Sequence, residues 1–106
     1  MTSVIAYMSL SEKIKNSKNT YKKLIQHCKG LDEPCDIYSE KADPNSNTRN
    51  LWDHVIQRIE SSEIETLIVP NIFHISCDRQ KMQAVLSLCE ANHTKVQFLD
   101  DQGGGL

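Results

Sequence analysis

Residues able to do chemistry follow two apolar runs of this chain. Ser11, whose hydroxyl is a candidate nucleophile, comes directly after the apolar residues 4–10. Residues 71–78 follow a second run and bring an imidazole, His74, and a thiol, Cys77. In α/β proteins, polar stretches beyond the carboxyl ends of buried strands hold the working side chains. The sequence therefore points to one edge of a predicted sheet.

The histidine and the cysteines do not combine into a metal site. His74 and Cys77 are three residues apart, but two further convergent ligands of the kind zinc requires are not evident. None of the four cysteines forms a C-x-x-C pair. Cys28 and Cys89 fall on apolar helical faces, which is typical of small buried side chains. We therefore predict neither a metal nor a cofactor.

Composition places the chain among ordinary globular domains. It has 106 residues, 25% of them charged, and a formal net charge of −2, so bulk charge does not attract nucleic acid. No run approaches the roughly 18 apolar residues of a membrane span, and the start lacks a secretory signal. We predict a cytoplasmic protein without membrane contact, with one domain over residues 1–101 and a flexible glycine-rich tail over residues 102–106.

Opposite charges lie near the two ends of the chain. Lysines crowd the segment after Ser11, which favours a solvated helix flank over a nucleic-acid patch. The acidic sequence FLDDQ of one copy could pair with these lysines in a second copy, which would permit self-association. Exposed ion pairs contribute little to binding, however, so the oligomeric state stays open. The lysines are Lys13, Lys15, Lys18, Lys22 and Lys23.

Apolar periodicity predicts three helices. The first spans the apolar positions from Tyr21 to Cys28, with Asn19 or Thr20 as its N-cap and Gly30 beyond its end. The second would begin after a cap at residue 47 or 48. The apolar positions of the second and third helices are Leu51, Val55 and Ile59, then Met82, Val85, Leu86 and Cys89.

Four strands alternate with these helices. Residues 4–10 and 64–69 are the clear ones, residues around Ile37 and Tyr38 form a weak one, and residues 95–100 form the last. The order β-α-β-α-β-α-β predicts a three-layer α/β/α fold with a mainly parallel sheet. Its carboxyl edge would bring together Ser9, Ser11, residues 40–49, residues 71–77 and the acids at 100 and 101.

Read in chain order, these loops resemble the catalytic domain of resolvase/invertase-type serine recombinases. That family opens with Tyr-x-Arg-x-Ser, whose serine attacks a DNA phosphate; here Tyr7 and Ser11 match, and Ser9 replaces the arginine. In the next loop Lys41 and Ala42 are retained, Glu40 stands at an aspartate and Arg49 at a functional arginine. In the hexad IFHISC, Phe73 replaces an aspartate, while His74 and Cys77 replace two arginines. The resemblance runs from residue 4 to about residue 101 and implies the sheet order 2-1-3-4.

The substitutions remove most of the chemistry that the resemblance implies. Serine attack on a phosphodiester needs guanidinium groups, and only Arg49 remains as a phosphate contact. Three lost donors would cost on the order of 8–12 kcal/mol if each contributed independently. Ser11 is then a vestigial nucleophile, Phe73 cannot pair with an arginine, and His74 is mostly neutral at neutral pH.

Each substituted position also has a plain structural interpretation. Ser11 would be a polar residue at a strand end, and Phe73 would pack against the third helix. His74 would be a satisfied surface or half-buried histidine, and Cys77 would lie in the first turn of the third helix. In the family a long helix and a DNA-binding domain follow the last strand, and a chain that lacks them would have no evident carrier of sequence-specific recognition.

The sequence therefore predicts a resolvase-like domain without catalytic activity that acts as a regulatory or binding module. Its partner would be DNA, bound weakly or through another protein, or a protein, including a second copy of the chain. Two alternatives stay open. One is an active, divergent recombinase that cleaves DNA through Ser11, and the other is an unrelated α/β interaction domain.

Overall fold

The computed structural model describes residues 3–9, 17–41, 49–76 and 78–99. Strands and helices alternate through them, with a single 3₁₀ turn after the third strand. The elements are β1 Val4–Ser9, α1 Ser17–Lys29, β2 Cys35–Glu40, α2 Asn50–Glu60, β3 Thr66–Val69, the 3₁₀ turn Ile72–His74, α3 Arg79–Ala91 and β4 Lys95–Phe98.

The four strands form one sheet in the order β2-β1-β3-β4, and all three pairings are parallel. The first strand lies in the centre, where Ala6 is opposite Ile37 on one side and Ile68 on the other. All six residues of β1 are buried, as expected for a strand that is covered on both faces. The predicted α/β class and the order 2-1-3-4 are confirmed.

Helices cover both faces of the sheet, so the molecule has three layers. Ile5 and Tyr7 of β1 face the larger cluster, to which α2 and α3 contribute. The alternate residues of β1 face a smaller cluster, to which α1 contributes Leu24 and Cys28. The buried residues of α2 are Trp52, Val55 and Ile59.

Several predicted boundaries are wrong, including the end of the last strand, which lies at Phe98 and not at residue 100. The first helix begins at Ser17, so Asn19 and Thr20 lie inside it and do not cap it. The second begins at Asn50 with Arg49 as its N-cap, and not at residue 47 or 48. The third strand begins at Thr66, two residues later than predicted, and the N–H groups of Glu65 and Thr66 both donate to the carbonyl of Ser3.

No helix among the described residues has the length and apolar character needed to cross a bilayer. The predicted tail at residues 102–106 lies outside the described ranges.

Candidate functional site at the carboxyl edge of the sheet

Several predicted site residues meet beyond the carboxyl ends of the strands. Ser9 is the last residue of β1, and Glu40 is the last residue of β2. His74 ends the 3₁₀ turn that follows β3, and Arg49 is the N-cap of α2. Ser11, the predicted nucleophile, lies outside the described residues, as does Cys77.

Two of the substituted positions contact each other directly. The backbone N–H of Ser9 donates to Nδ1 of His74 at 3.1 Å, and both residues are fully buried. An Nδ1 atom that accepts a hydrogen bond carries no proton, so the imidazole is in its neutral form with the proton on Nε2. Protonation at Nδ1 would break this bond inside the protein. The prediction of a surface or half-buried histidine is wrong, because its ring fills the space next to the end of β1.

Arg49 is turned toward the backbone of the same turn. Its guanidinium donates from one terminal nitrogen to the carbonyl of His74 at 3.0 Å and from the other to the carbonyl of Ile75 at 2.6 Å. The residue is only 5% exposed, and its guanidinium carbon lies 5.1 Å from the ring centroid of Trp52. Nε has no hydrogen-bond partner among the described residues. Arg49 therefore holds the 3₁₀ turn against α2, and its assignment as a phosphate contact stays a prediction.

Glu40 caps α2 from the neighbouring strand. Its two carboxylate oxygens accept from the backbone N–H groups of Leu51 at 3.1 Å and Trp52 at 2.9 Å. A carboxylate at this position satisfies helix N–H groups and favours the positive end of the helix dipole. This contact explains why α2 can begin with Arg49, whose side chain makes no cap hydrogen bond.

Tyr7 also forms a hydrogen bond with the Glu40 carboxylate. Its hydroxyl donates to Oε2 of Glu40 at 2.7 Å, and its ring lies 4.7 Å from that of Trp52, centroid to centroid. Burial and the hydrogen bond to Glu40 raise the pKa of the Tyr7 phenol above its ordinary value. Tyr7 therefore serves as a neutral hydrogen-bond donor that fixes the carboxylate.

Phe73 points away from the core. It is 54% exposed, so the prediction that it packs against the third helix is wrong. The side chain of Asn71 accepts from the N–H of Phe73 at 3.0 Å and starts a tight turn, in which Ile72 is half-buried and His74 is fully buried. The residue between them is left facing outward. The edge thus presents an aromatic ring where the resemblance places an aspartate.

The start of α3 completes this edge of the sheet. Asp78 caps the helix by accepting from Gln80 and Lys81, and Arg79 is exposed in the first turn. The helix begins two residues after Cys77. Among the described residues, no group of three or more histidine, cysteine, aspartate or glutamate side chains is arranged to hold a metal ion.

Sequence reasoning missed the roles of Glu40 and Trp52. Glu40 was assigned only as a substituted family position, whereas its carboxylate links Tyr7 to the start of α2. The available signal was a helix start without a suitable N-cap residue, together with an acid at the end of the adjacent predicted strand. For Trp52, the only signal in the sequence was its large apolar side chain.

Comparisons with known proteins bear on the fold. No protein-family model matches the chain, and no curated protein sequence does. Solved structures do match. The first open reading frame of transposon ISC1904 from Sulfolobus solfataricus P2 gives a TM-score of 0.75 at 17% identity, over 92% of this chain and 67% of that one.

Two further structures give the same result. The N-terminal catalytic domain of TP901-1 integrase has a TM-score of 0.74 at 16% identity, covering 94% of this chain and 78% of its own. The C-terminal catalytic domain of ISC1926 TnpA, an IS607-like serine recombinase, has a TM-score of 0.72 at 9% identity, covering 91% and 69%. The resemblance inferred from the loops is confirmed at the level of structure: this chain has the fold of a serine recombinase catalytic domain.

Proposed function

We propose that this chain is a resolvase-like domain that does not cleave DNA and acts as a binding or regulatory module. The observation that carries the proposal is the placement of Arg49. Both terminal nitrogens of its guanidinium donate to backbone carbonyls, and the residue is 5% exposed. Three of the five guanidinium N–H donors are not used by these bonds, but the residue is almost fully covered, so a phosphate could reach them only if the residues around Arg49 moved apart.

The contact between Ser9 and His74 supports the same conclusion. The resemblance implies an arginine at each of these positions, yet both residues are fully buried and bonded to each other. A neutral imidazole and a small hydroxyl residue can be buried against each other without an unpaired charge. Neither provides the permanent positive charge that stabilises a phosphoryl transition state.

The exposed face of the edge favours a protein partner over DNA. Phe73 presents an aromatic ring to solvent, and exposed aromatic residues are enriched at protein interfaces. The segment that follows it has mixed charge, with Asp78 beside Arg79 and Lys81, and the whole chain carries a net charge of −2. Duplex DNA would be bound better by a uniformly basic surface.

A nicking assay tests the loss of catalysis. The full chain is incubated with supercoiled plasmid DNA, with Ser11→Ala as the matched control and an active serine recombinase as the positive control. We expect no cleavage above that of Ser11→Ala and no covalent protein–DNA adduct. Cleavage at ordinary recombinase rates that disappears in Ser11→Ala would overturn the proposal in favour of an active, divergent enzyme.

Two binding measurements test the partner class. A gel shift with duplex DNA at low and moderate salt should show no retained complex, whereas salt-dependent binding would assign the module to DNA. Light scattering over a range of concentrations measures self-association. If a second copy is the partner, Phe73→Ser should reduce self-association without altering the circular dichroism spectrum, and an unchanged association would exclude Phe73 from the contact.

A further inference from the structure

Two thiols lie against each other at the opposite edge of the sheet. Cys28 is in the last turn of α1, and Cys35 is the first residue of β2. Their sulfur atoms are 3.3 Å apart, with the S–H of Cys35 donating to Sγ of Cys28, and both cysteines are free. No other element of the proposed function uses this pair.

The backbone around the pair keeps the two sulfurs close. The connection from α1 to β2 is short, and it is fixed at its start by hydrogen bonds from Gly30 to the carbonyls of Gln26 and His27. A disulfide has an S–S length of about 2.05 Å, so the two sulfurs together need to approach by only about 1.2 Å. Cys28 is buried and Cys35 is half-buried, so a small reagent reaches the pair from the Cys35 side.

We propose that Cys28 and Cys35 are a modification site, at which a low-molecular-weight disulfide such as oxidised glutathione forms an intramolecular disulfide between α1 and β2. The Cys35 thiolate attacks one glutathione sulfur, which forms a mixed disulfide and releases the first glutathione thiolate. The Cys28 thiolate then attacks the Cys35 sulfur and releases the second. Two protein thiols are oxidised and one glutathione disulfide is reduced to two glutathione molecules.

The reaction is slow at neutral pH and accelerates in base. Burial, with a contribution from the hydrogen bond to Cys28, raises the pKa of the Cys35 thiol to about 12, and burial also raises the pKa of Cys28. Because only the thiolate attacks, the rate should rise about tenfold per pH unit through the neutral and mildly alkaline range. The site therefore responds to sustained oxidation and not to brief exposure.

The crosslink would strengthen a weakly held helix. The buried side chains that fasten α1 to the sheet are Leu24 and Cys28, and the disulfide would add a covalent bond to the edge strand β2. Closing this short ring reduces the freedom of the unfolded chain. We expect the Tm of the oxidised protein to exceed that of the reduced protein by about 5–10 °C.

Peptide mapping tests the site directly. The full chain is treated with glutathione disulfide in mildly alkaline buffer, remaining thiols are alkylated, and the protein is digested with trypsin without reduction. Because Lys29 lies between the two cysteines, the predicted disulfide joins the peptides LIQHCK, residues 24–29, and GLDEPCDIYSEK, residues 30–41. We expect this joined pair to be the main disulfide product and to separate on reduction, with Cys89 recovered as a thiol.

Two controls separate native geometry from chance pairing. In Cys35→Ser, oxidant should leave the Tm unchanged and yield no joined pair. Oxidation of the wild-type chain in denaturant should give several pairings among the four cysteines. The proposal is overturned if both peptides are recovered alkylated after oxidation, if bonds to Cys77 or Cys89 dominate, or if native and denatured chains give the same mixture.

Discussion

The two ends of the α2–β2 pair use the same kinds of residue in opposite ways. At the amino end of the strand, Arg58 forms an ion pair with Asp36 at 2.8 Å and also donates to the hydroxyl of Tyr38. At the carboxyl end, Arg49 donates to backbone carbonyls, and the acid, Glu40, accepts from helix N–H groups instead. Each end has one arginine, but only the arginine of the amino end pairs with carboxylates, which are Asp36 and, at 3.8 Å, Glu63.

Burial and the helix dipole explain the difference. Arg58 lies in the last turn of α2, where a cation is favourable, and its pair is partly exposed, with side chains 15% and 46% exposed. Arg49 lies at the start of α2, where a cation is unfavourable, and is nearly covered. The carboxylate of Glu40 offsets that cost. At the carboxyl end, the buried contacts therefore depend on one another, whereas at the amino end the ion pair is partly exposed to solvent.

Replacing Arg49 is expected to lower the free energy of unfolding more than replacing Glu40, Tyr7 or Arg58. Arg49→Met removes two charge-assisted hydrogen bonds and leaves buried carbonyls without donors, so the free energy of unfolding should fall by about 3 kcal/mol or more. Urea unfolding followed by circular dichroism measures it. Arg49→Lys keeps the charge but not the planar fork, and should recover less than half of the loss. A loss below about 1 kcal/mol in Arg49→Met would show that the guanidinium does not hold the turn.

A smaller effect is expected from Glu40. Glu40→Ala removes the acceptor for two helix N–H groups and leaves the Tyr7 hydroxyl unpaired, which should cost about 2 kcal/mol. Glu40→Gln retains one acceptor oxygen and serves as the matched control, with roughly half the cost. Equal stability of Glu40→Ala and the wild type in urea unfolding would contradict the capping role.

The burial of the Tyr7 phenol leads us to expect a lower free energy of unfolding at alkaline pH. Because the pKa of Tyr7 is raised in the folded state, its contribution is present below the unfolded value of about 10 and is lost as pH rises above it. The free energy of unfolding should therefore fall by about 1 kcal/mol between roughly pH 10 and pH 11 from this group alone. Tyr7→Phe should lack this share of the decline, and parallel pH profiles would refute the assignment.

The smallest change in the free energy of unfolding is expected at the amino end of β2. Replacing Arg58 or Asp36 should change the free energy of unfolding by about 1 kcal/mol or less, because the pair is partly solvated. A double-mutant cycle of Arg58→Met and Asp36→Asn isolates the pair energy, which should shrink when salt is added. A coupling as large as the Arg49 effect would remove the contrast between the two ends.

The fold could be predicted from the sequence because its signals are local. The apolar run of β1, the turn-spaced Leu51, Val55 and Ile59 of α2, and the alternation of strand and helix each lie within one segment. The strand β2 was only weakly indicated, because an edge strand is half-buried throughout and shows no clear pattern.

The arrangement of the site depends on contacts between distant segments, which periodicity does not report. The start of α2 was misplaced because its capping oxygen belongs to Glu40, 11 residues before Leu51. The burial of His74 depends on Ser9, 65 residues earlier. The outward direction of Phe73 follows from a three-residue turn, which is too short to have a recognisable apolar period.

The central position of β1 has a consequence for folding order. This strand, Val4–Ser9, is made before both of its partners, which are β2, beginning at Cys35, and β3, beginning at Thr66. During synthesis this mainly apolar strand has no neighbouring strand until most of the domain has emerged, and such long-range parallel pairing is intrinsically slow. Of the four strands, β1 therefore waits longest for its partners, and during that time a chaperone that binds apolar strands could bind Val4–Ser9.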